Sequence, residues 1–344
     1  MKIAIVKLSA LGDIVHAMVA LQFIKAALPD TQIDWLVEER FAAILEHNPH
    51  IHRVLTVNLK ALKTDKWRVF QEIAKVRAYA AEHYDWVIDA QGLIKSAITA
   101  RLLGSPCVGF DDQSVREPLA AWFYQHKISY PYDANTIDRN VAIMTQALGV
   151  NVSQAQIIGK QPFLYFHPPQ AALDSYFSAD KPNVLLVIGS TWPSRNYPLE
   201  SYLQVVFGLD ANVMVCWGNA QEHWMAQWLA ERCLVTVLPA LSLNDLKALI
   251  AGCDLVIGND TGPTHMAWGL NRPSITLFGP TPVSRVYQTT LNRVLKSPSP
   301  VDPFKLNKND FSIREIAADE VINLAKQLLP AQPAHERKEE QPSL

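Results

Sequence analysis

The sequence predicts two doubly wound α/β domains in tandem. Short β-rich apolar runs alternate with longer segments whose apolar residues recur at helical spacing, as in parallel sheets covered by helices on both faces. This rhythm stops over the proline-bearing, non-periodic stretch 151–181 and then restarts. The length of 344 residues suits two domains, and 49% apolar against 19% charged residues gives each a core.

Taken in order, residues 2–8 (KIAIVKL) form a buried-strand run, 9–13 a small-residue loop, and 14–28 a helix that stops before Pro29. Strands follow at 33–37, 54–57, 86–89 and 108–110, with helical patterns at 41–47, 68–82, 93–103, 115–125 and 136–148. In the second half, strands at 184–188, 213–217, 236–238, 255–257 and 274–278 alternate with helices at 197–207, 221–232, 243–251 and 264–269. A last helix covers 315–328. The domains are therefore expected at 1–165 and 166–312, with a final helical segment 313–329 and a polar tail 330–344 expected to be disordered.

Composition narrows the function. The formal net charge of −2 carries no global basic field, so no nucleic-acid partner is expected. Cys107, Cys216, Cys233 and Cys253 are widely spaced without a CxxC pair; they read as buried apolar residues in a reducing compartment. The N-terminal apolar run is too short for a signal peptide and contains Lys7. No stretch approaches the ~20 apolar residues of a membrane span. A soluble cytoplasmic protein is expected.

In open α/β sheets ligands lie outside the carboxyl ends of the strands. The loops that follow strands are therefore the candidate sites, and two facing domains would place them in the cleft between them. Residues 9–13 (SALGD) hold one glycine, which is not the GxGxxG fingerprint, so a nicotinamide dehydrogenase is disfavoured. Gly12 permits a sharp turn. Asp13 either caps the next helix or stands at the cleft mouth as a base. Residues 189–198 (GSTWPSRNYP) place the hydroxyls of Ser190 and Thr191 and the guanidinium fork of Arg195 between a strand end and a helix start, which suits a phosphate. The stretch 258–265 (GNDTGPTH) ends a strand and opens a helix near Pro263, aiming the Thr261 and Gly262 amides at the same point. There His265 is either a satisfied core histidine or part of the site.

Glu222, after another strand, is either a ribose acceptor or a first-turn glutamate favoured by the helix dipole. Asp111 and Asp112 read as turn chemistry, and no carboxylate or histidine cluster has metal-ligand spacing. Residues 51–80 carry seven basic side chains against two acidic ones. Lys60 and Lys63 among them, with Lys95 and Arg116 in later loops, could form a face for an anionic acceptor or a membrane surface.

Five stretches occurring in order carry a resemblance: KLSALGD at 7–13, DAQGLIKS at 89–96, REPL at 116–119, DTG with His265 at 260–265, and FGPT at 278–281. Together they resemble the lipopolysaccharide heptosyltransferases of glycosyltransferase family 9, over roughly residues 1–325. The resemblance implies the GT-B architecture of two facing Rossmann-like domains, the acceptor domain first and the nucleotide-sugar domain second, with a C-terminal helix crossing back to the first. It implies metal-free, inverting transfer of L-glycero-D-manno-heptose from ADP-heptose to 3-deoxy-D-manno-oct-2-ulosonic acid (Kdo) on lipid A, at the cytoplasmic face of the inner membrane with peripheral membrane contact. Asp13 matches the family's catalytic base. Ser190, Thr191, Glu222, Asp260, Thr261, Gly262 and His265 match donor-binding positions, and Arg195 falls where relatives commonly carry a lysine. Ser9, Gly12, Lys60, Lys63, Lys95 and Arg116 fall on the acceptor side. Two alternatives share most of these features: another family 9 transferase adding a later heptose or other sugar, and a GT-B-fold sugar-nucleotide epimerase. A non-catalytic nucleotide-binding protein is a third, which would tolerate loss of Asp13.

Overall fold

Valine, isoleucine and leucine fill the central strands, and their side chains are buried along the whole strand rather than on alternate positions. In β1 (Lys2–Val6), Ile3 to Val6 are all 0% exposed, as are Leu255, Val256 and Ile257 of β10 (Leu255–Asn259). Such strands must be covered on both faces. Each fully buried aliphatic side chain contributes about 1.5–3 kcal/mol relative to exposure.

The computed structural model describes residues 1–59, 67–104, 106–169 and 173–329. Two compact units emerge: Met1–Tyr165 together with Ser284–Tyr287, and the other residues from Phe166 onward. The first unit contains β1, α1 (Leu11–Met18), α2 (Ala20–Ala27), β2 (Gln32–Glu38), β3 (Arg53–Val57), α3 (Arg68–Tyr79), β4 (Trp86–Asp89), α4 (Ile94–Leu102), β5 (Cys107–Phe110), β6 (His126–Ile128), α5 (Thr136–Thr145) and α6 (Gln154–Ile158). The second contains β7 (Asn183–Val187), α7 (Leu199–Gly208), β8 (Asn212–Cys216), α8 (Ala220–Ala230), β9 (Thr236–Val237), α9 (Leu243–Gly252), β10, α10 (Gly262–Gly269), β11 (Ser274–Phe278), β12 (Asn292–Lys296) and α11 (Ala318–Leu328).

Both six-stranded sheets are parallel throughout, ordered β3-β2-β1-β4-β5-β6 and β12-β11-β10-β7-β8-β9. Counted from each unit's own first strand, both follow the Rossmann order, so the order reverses between β1 and β4 and again between β7 and β10. In register, Ile5 lies opposite Trp35 and Ile88, and Ile257 opposite Leu186 and Ile275.

The elements depart from the sequence reading in physically instructive places. The helix expected over 14–28 is two segments meeting at Val19, an interruption that nothing in the local sequence explains. The patterns at 41–47 and 115–125 shorten to 3₁₀ turns at Glu39–Ile44 and Pro118–Phe123. Strands β6 and β12 are edge strands that the sequence pattern does not mark, whereas the other two edges, β3 and β9, carry readable runs. His126 and Lys127 of β6, and Arg293 and Lys296 of β12, are exposed and charged or polar, as edges tend to be. Cys233 is half-buried, whereas Cys107, Cys216 and Cys253 are buried.

The last helix corrects the expectation of a return to the first domain. Val321, Ile322 and Ala325 of α11 join the core of the second unit, where α11 packs on α7. A Cβ at Gly208 of α7 would lie 2.4 Å from Ile322 Cδ1, so glycine permits this approach. The segment that does join the first unit is Ser284–Tyr287: Asn135 Nδ2 donates to Val286 O at 2.9 Å, and the Tyr287 hydroxyl bonds to Asp138. The 330–344 tail, Lys60 and Lys63 lie outside the described residues.

Gly109 of β5 faces the ring of Tyr124, whose nearest carbon would sit 2.2 Å from an added Cβ. Tyr124 is buried and its hydroxyl is bonded to Asp89, so the ring has little room to yield. Gly109→Ala is expected to destabilise the protein by about 1–3 kcal/mol through overpacking, read as a lowered midpoint in denaturant unfolding.

Candidate active site

At the first reversal point, β1 and β4 end side by side and their loops diverge. The strand β4 ends in Asp89, 0% exposed and held by four donors: Ser96 Oγ (2.8 Å), the Tyr124 hydroxyl (2.7 Å) and the amides of Gln91 (2.8 Å) and Gly92 (3.3 Å). Burial pushes the Asp89 carboxyl up from its ordinary pKa, and these hydrogen bonds oppose the shift. Gln91 then reaches across to the loop after β1, its Oε1 accepting from the amides of Leu8 (3.1 Å) and Ser9 (3.0 Å).

The loop is shorter than the sequence reading placed it. Helix α1 starts at Leu11, so Gly12 and Asp13 stand in its first turn. Asp13 is half-exposed, and its Oδ2 accepts from the Ala10 amide at 3.2 Å. The capping alternative is therefore realised, and one carboxylate oxygen still remains. Lys7, which the sequence reading gave no role, is buried at the end of β1, with Nζ donating to Ala90 O (2.7 Å) and Asn140 Oδ1 (3.0 Å). Burial drives its pKa down, while the Asp13 and Asp89 carboxylates hold it up.

Lys95 and Arg116 are both exposed, and Glu117 brings their loops together: its Oε2 accepts from the Ile94 amide at 2.8 Å, capping α4 from outside. Arg139 ties down the far side of this loop, donating to Ser114 O, Tyr130 O and Pro131 O and lying over the Phe110 ring at 4.6 Å. Asp111 is a turn residue, accepting from the Ser114 amide at 2.8 Å.

At the second reversal point, Asn259 ends β10 and bonds across to β7. Its Nδ2 donates to Ile188 O (2.9 Å), while its Oδ1 accepts from the Tyr197 amide (3.0 Å) and the Tyr202 hydroxyl (3.3 Å). One buried side chain thus fixes both ends of the 189–197 loop. That loop contains a 3₁₀ turn at Pro193–Arg195, and α7 begins only at Leu199 behind Pro198. The stretch Ser190–Arg195 is therefore a prolyl loop, and the helix expected from 197 starts two residues later. Ser190 Oγ, Ser194 Oγ, Asn196 Oδ1 and Thr264 Oγ1 are buried without a hydrogen-bond partner among the described residues.

Asp260 is 2% exposed, with Oδ1 bonded to His265 Nε2 (2.9 Å), Oδ2 to Thr281 Oγ1 (2.8 Å), and Arg195 Nη2 3.6 Å away. His265 is 5% exposed. The pair is a mutually satisfied unit that aims Arg195, itself only 12% exposed and lying over the Trp192 ring at 5.3 Å. Thr261 precedes α10 without capping it through its side chain, which leaves the first-turn amides for a ligand. Glu222 accepts from the Gly218 amide at 2.7 Å and lies against Gly189, where a Cβ would fall 2.2 Å from its Cδ. Its own amide donates to the cap residue Asn219 (3.0 Å), so the first-turn role is also realised.

Asn259, Thr281, Gln91, Asp89 and Glu117 each lie in a stretch that sequence reasoning singled out, yet none was assigned a role. Their function is to hold neighbours, and only contacts show that. Among the described residues no group of three or more His, Cys, Asp or Glu is placed to hold a metal ion.

Two parallel Rossmann-type sheets, one with a carboxylate in the helix turn after its first strand and the other with a largely buried arginine beside unpaired hydroxyls and a helix start, define a GT-B-type glycosyltransferase. The sequence model of glycosyltransferase family 9 (heptosyltransferase) matches residues 73–296. Lipopolysaccharide heptosyltransferase 1 of Campylobacter coli is 33% identical over 344 residues, covering 95% of this chain and 99% of that protein. Among solved structures, E. coli heptosyltransferase WaaC with ADP superposes with a TM-score of 0.79 at 28% identity, covering 95% and 100% of the two chains. The same enzyme with ADP-2-deoxy-2-fluoro heptose gives 0.77 over 95% and 99%. The chain belongs to glycosyltransferase family 9 and is a transferase.

Asn259→Ala removes the partner of a buried amide and a buried carbonyl, at about 1–3 kcal/mol for each group left unsatisfied. It is expected to lower the thermal unfolding midpoint by several degrees, measured by calorimetry.

Proposed function

We propose that the protein is an inverting heptosyltransferase. It moves L-glycero-D-manno-heptose from ADP-heptose to a Kdo residue of Kdo-lipid A in lipopolysaccharide inner-core synthesis. The observation that carries this reading is the half-exposed Asp13 carboxylate, held at the reversal point of the first sheet in a chain that belongs to family 9. The names of its relatives and the ADP-sugar analogue bound to WaaC support the donor and the reaction.

The chain's residues divide the work. Asp13 takes the proton of the attacking Kdo hydroxyl. The transition state is oxocarbenium-like, and negative charge grows on the departing diphosphate. Arg195 and the amides of Thr261 and Gly262 receive that charge, with the hydroxyls of Ser190, Thr191 and Thr264 as further donors. Asp260 and His265 hold Arg195 rather than touching the sugar. Glu222 accepts from the ribose through the oxygen not bonded to Gly218. No metal is needed in this scheme, because the guanidinium and helix amides perform the electrostatic task.

On the first unit, Ser9 and Gly12 shape the loop beside the base, while Lys60, Lys63, Lys95 and Arg116 meet the acceptor's carboxylates and phosphates. On the 3₁₀ turn after Arg116, Leu119 and Trp122 are 52% and 80% exposed, a combination suited to a membrane interface. No helix among the described residues is long and apolar enough to cross a membrane. The exposed Leu119 and Trp122 support peripheral contact with a membrane, which in this reading is the cytoplasmic face of the inner membrane.

Asp13→Asn should reduce turnover by about 10²–10⁴-fold, or roughly 3–5 kcal/mol of barrier, with ADP binding retained. Rate measurements with ADP-heptose and Kdo-lipid A, with mass detection of the product, test base and substrates together; near-normal turnover would refute the assignment. Charge-assisted contacts contribute about 1.5–3 kcal/mol each, roughly tenfold to a hundredfold in affinity. Lys95→Ala with Arg116→Ala, and separately Lys60→Glu with Lys63→Glu, should therefore raise the acceptor KM by at least about tenfold and leave the donor KM nearly unchanged. Solvated surface charges would instead change little, which steady-state kinetics with each substrate varied in turn distinguishes.

A further inference from the structure

We propose that Gln91 is the positioning residue for Asp13, acting through the backbone of residues 8–10; this rests on the reading of Asp13 as the base. A single carboxamide oxygen receives two consecutive loop amides, Leu8 N at 3.1 Å and Ser9 N at 3.0 Å. The next amide, Ala10 N, donates to Asp13 Oδ2 at 3.2 Å. Three successive donors thus run from the end of β1 to the carboxylate, and Gln91 holds the first two.

Gln91 is itself held from behind. Its amide donates to Asp89 Oδ1 (2.8 Å), and Asp89 Oδ2 takes the hydroxyls of Ser96 (2.8 Å) and Tyr124 (2.7 Å). At Gly92 the chain turns with φ +70°, and a Cβ there would meet Val115 Cγ2 at 2.9 Å, so the backbone next to Gln91 has one shape. The side chain suits the task chemically. It presents an acceptor with two lone pairs at the required reach and adds no charge beside Asp13 and Asp89.

The sheet does not depend on this contact. Strand β1 is paired along its length with β2 on one side and β4 on the other. Losing the Gln91 oxygen releases the Leu8 and Ser9 amides, and with them the direction of the Asp13 carboxylate, while the strand stays in register and Leu8 O keeps its bond from the Glu38 amide at 3.2 Å. A misplacement of about 1 Å at a reacting group is enough for a rate loss on the order of a hundredfold.

The test is a double-mutant cycle on the full-length enzyme, with kcat, both KM values, ADP affinity by calorimetry and thermal stability measured for each variant. Gln91→Leu keeps the volume and removes the acceptor; it should lower kcat by roughly ten- to a hundredfold. Both KM values and ADP affinity should stay within about twofold. Because Gln91 acts through Asp13, adding Gln91→Leu to Asp13→Asn should slow the residual rate no more than about twofold. Gln91→Glu retains an acceptor oxygen and should turn over several-fold faster than Gln91→Leu, a comparison that stands even if the leucine variant is poorly folded. A Gln91→Leu kcat within twofold of wild type, full additivity with Asp13→Asn, or equal rates for the leucine and glutamate variants would each overturn the proposal. If Asp13→Asn itself turns over normally, the base reading falls and the proposal with it; if that variant is inactive and only the Gln91 results fail, the base reading stands.

Discussion

Two neighbouring parallel strands whose crossover connections leave in opposite directions cannot close over their own carboxyl ends. This constraint governs both units. Between β1 and β4, and between β7 and β10, the diverging loops leave backbone amides and side chains uncovered. Most residues of the proposed mechanism lie there: Ser9, Gly12 and Asp13 at the first point, and Ser190, Arg195, Thr261 and Gly262, with Asp260 behind Arg195, at the second. The fully buried strands supply rigidity, and the reversal of strand order supplies the opening.

Each opening is braced by a buried polar side chain on the strand that enters from the second half of its sheet. Asp89 ends β4 and gathers Ser96, Tyr124 and the amides of Gln91 and Gly92; Asn259 ends β10 and gathers Ile188, Tyr197 and Tyr202. Burying such groups is costly unless they are bonded. Once bonded, they hold their loops to one geometry. The charged residue at each opening, the half-exposed Asp13 or the largely buried Arg195, is thus oriented by neighbours that do not react.

Several residues fill the structural role that sequence reasoning set against a chemical one, and the proposed mechanism asks them to keep both. Asp13 caps its helix with one oxygen, Glu222 binds the strand-end amide of Gly218, and His265 is satisfied by Asp260. The bland role supplies the orientation that the chemical role requires. The competition was therefore less sharp than it looked from residue types alone.

The fold class was legible because it depends on local pattern: apolar strand runs, helical periodicity and a break at 151–181 mark two α/β units, and glycines, hydroxyls and charges after strands mark where ligands bind. The family resemblance added roles for Asp13 and Arg195. Edge strands β6 and β12 escaped notice because His126 and Lys127 of one and Arg293 and Lys296 of the other are exposed, which leaves each too short an apolar run to read. The docking of α11 on α7, the return of Ser284–Tyr287 to the first unit, and the bracing by Gln91, Asn259 and Glu117 join residues far apart in the chain. Local pattern follows from side-chain burial and backbone preference, which a short stretch of sequence carries. A hydrogen bond between Gln91 and Leu8, 83 residues apart, exists only once two strands lie side by side, so the tertiary structure alone decided it.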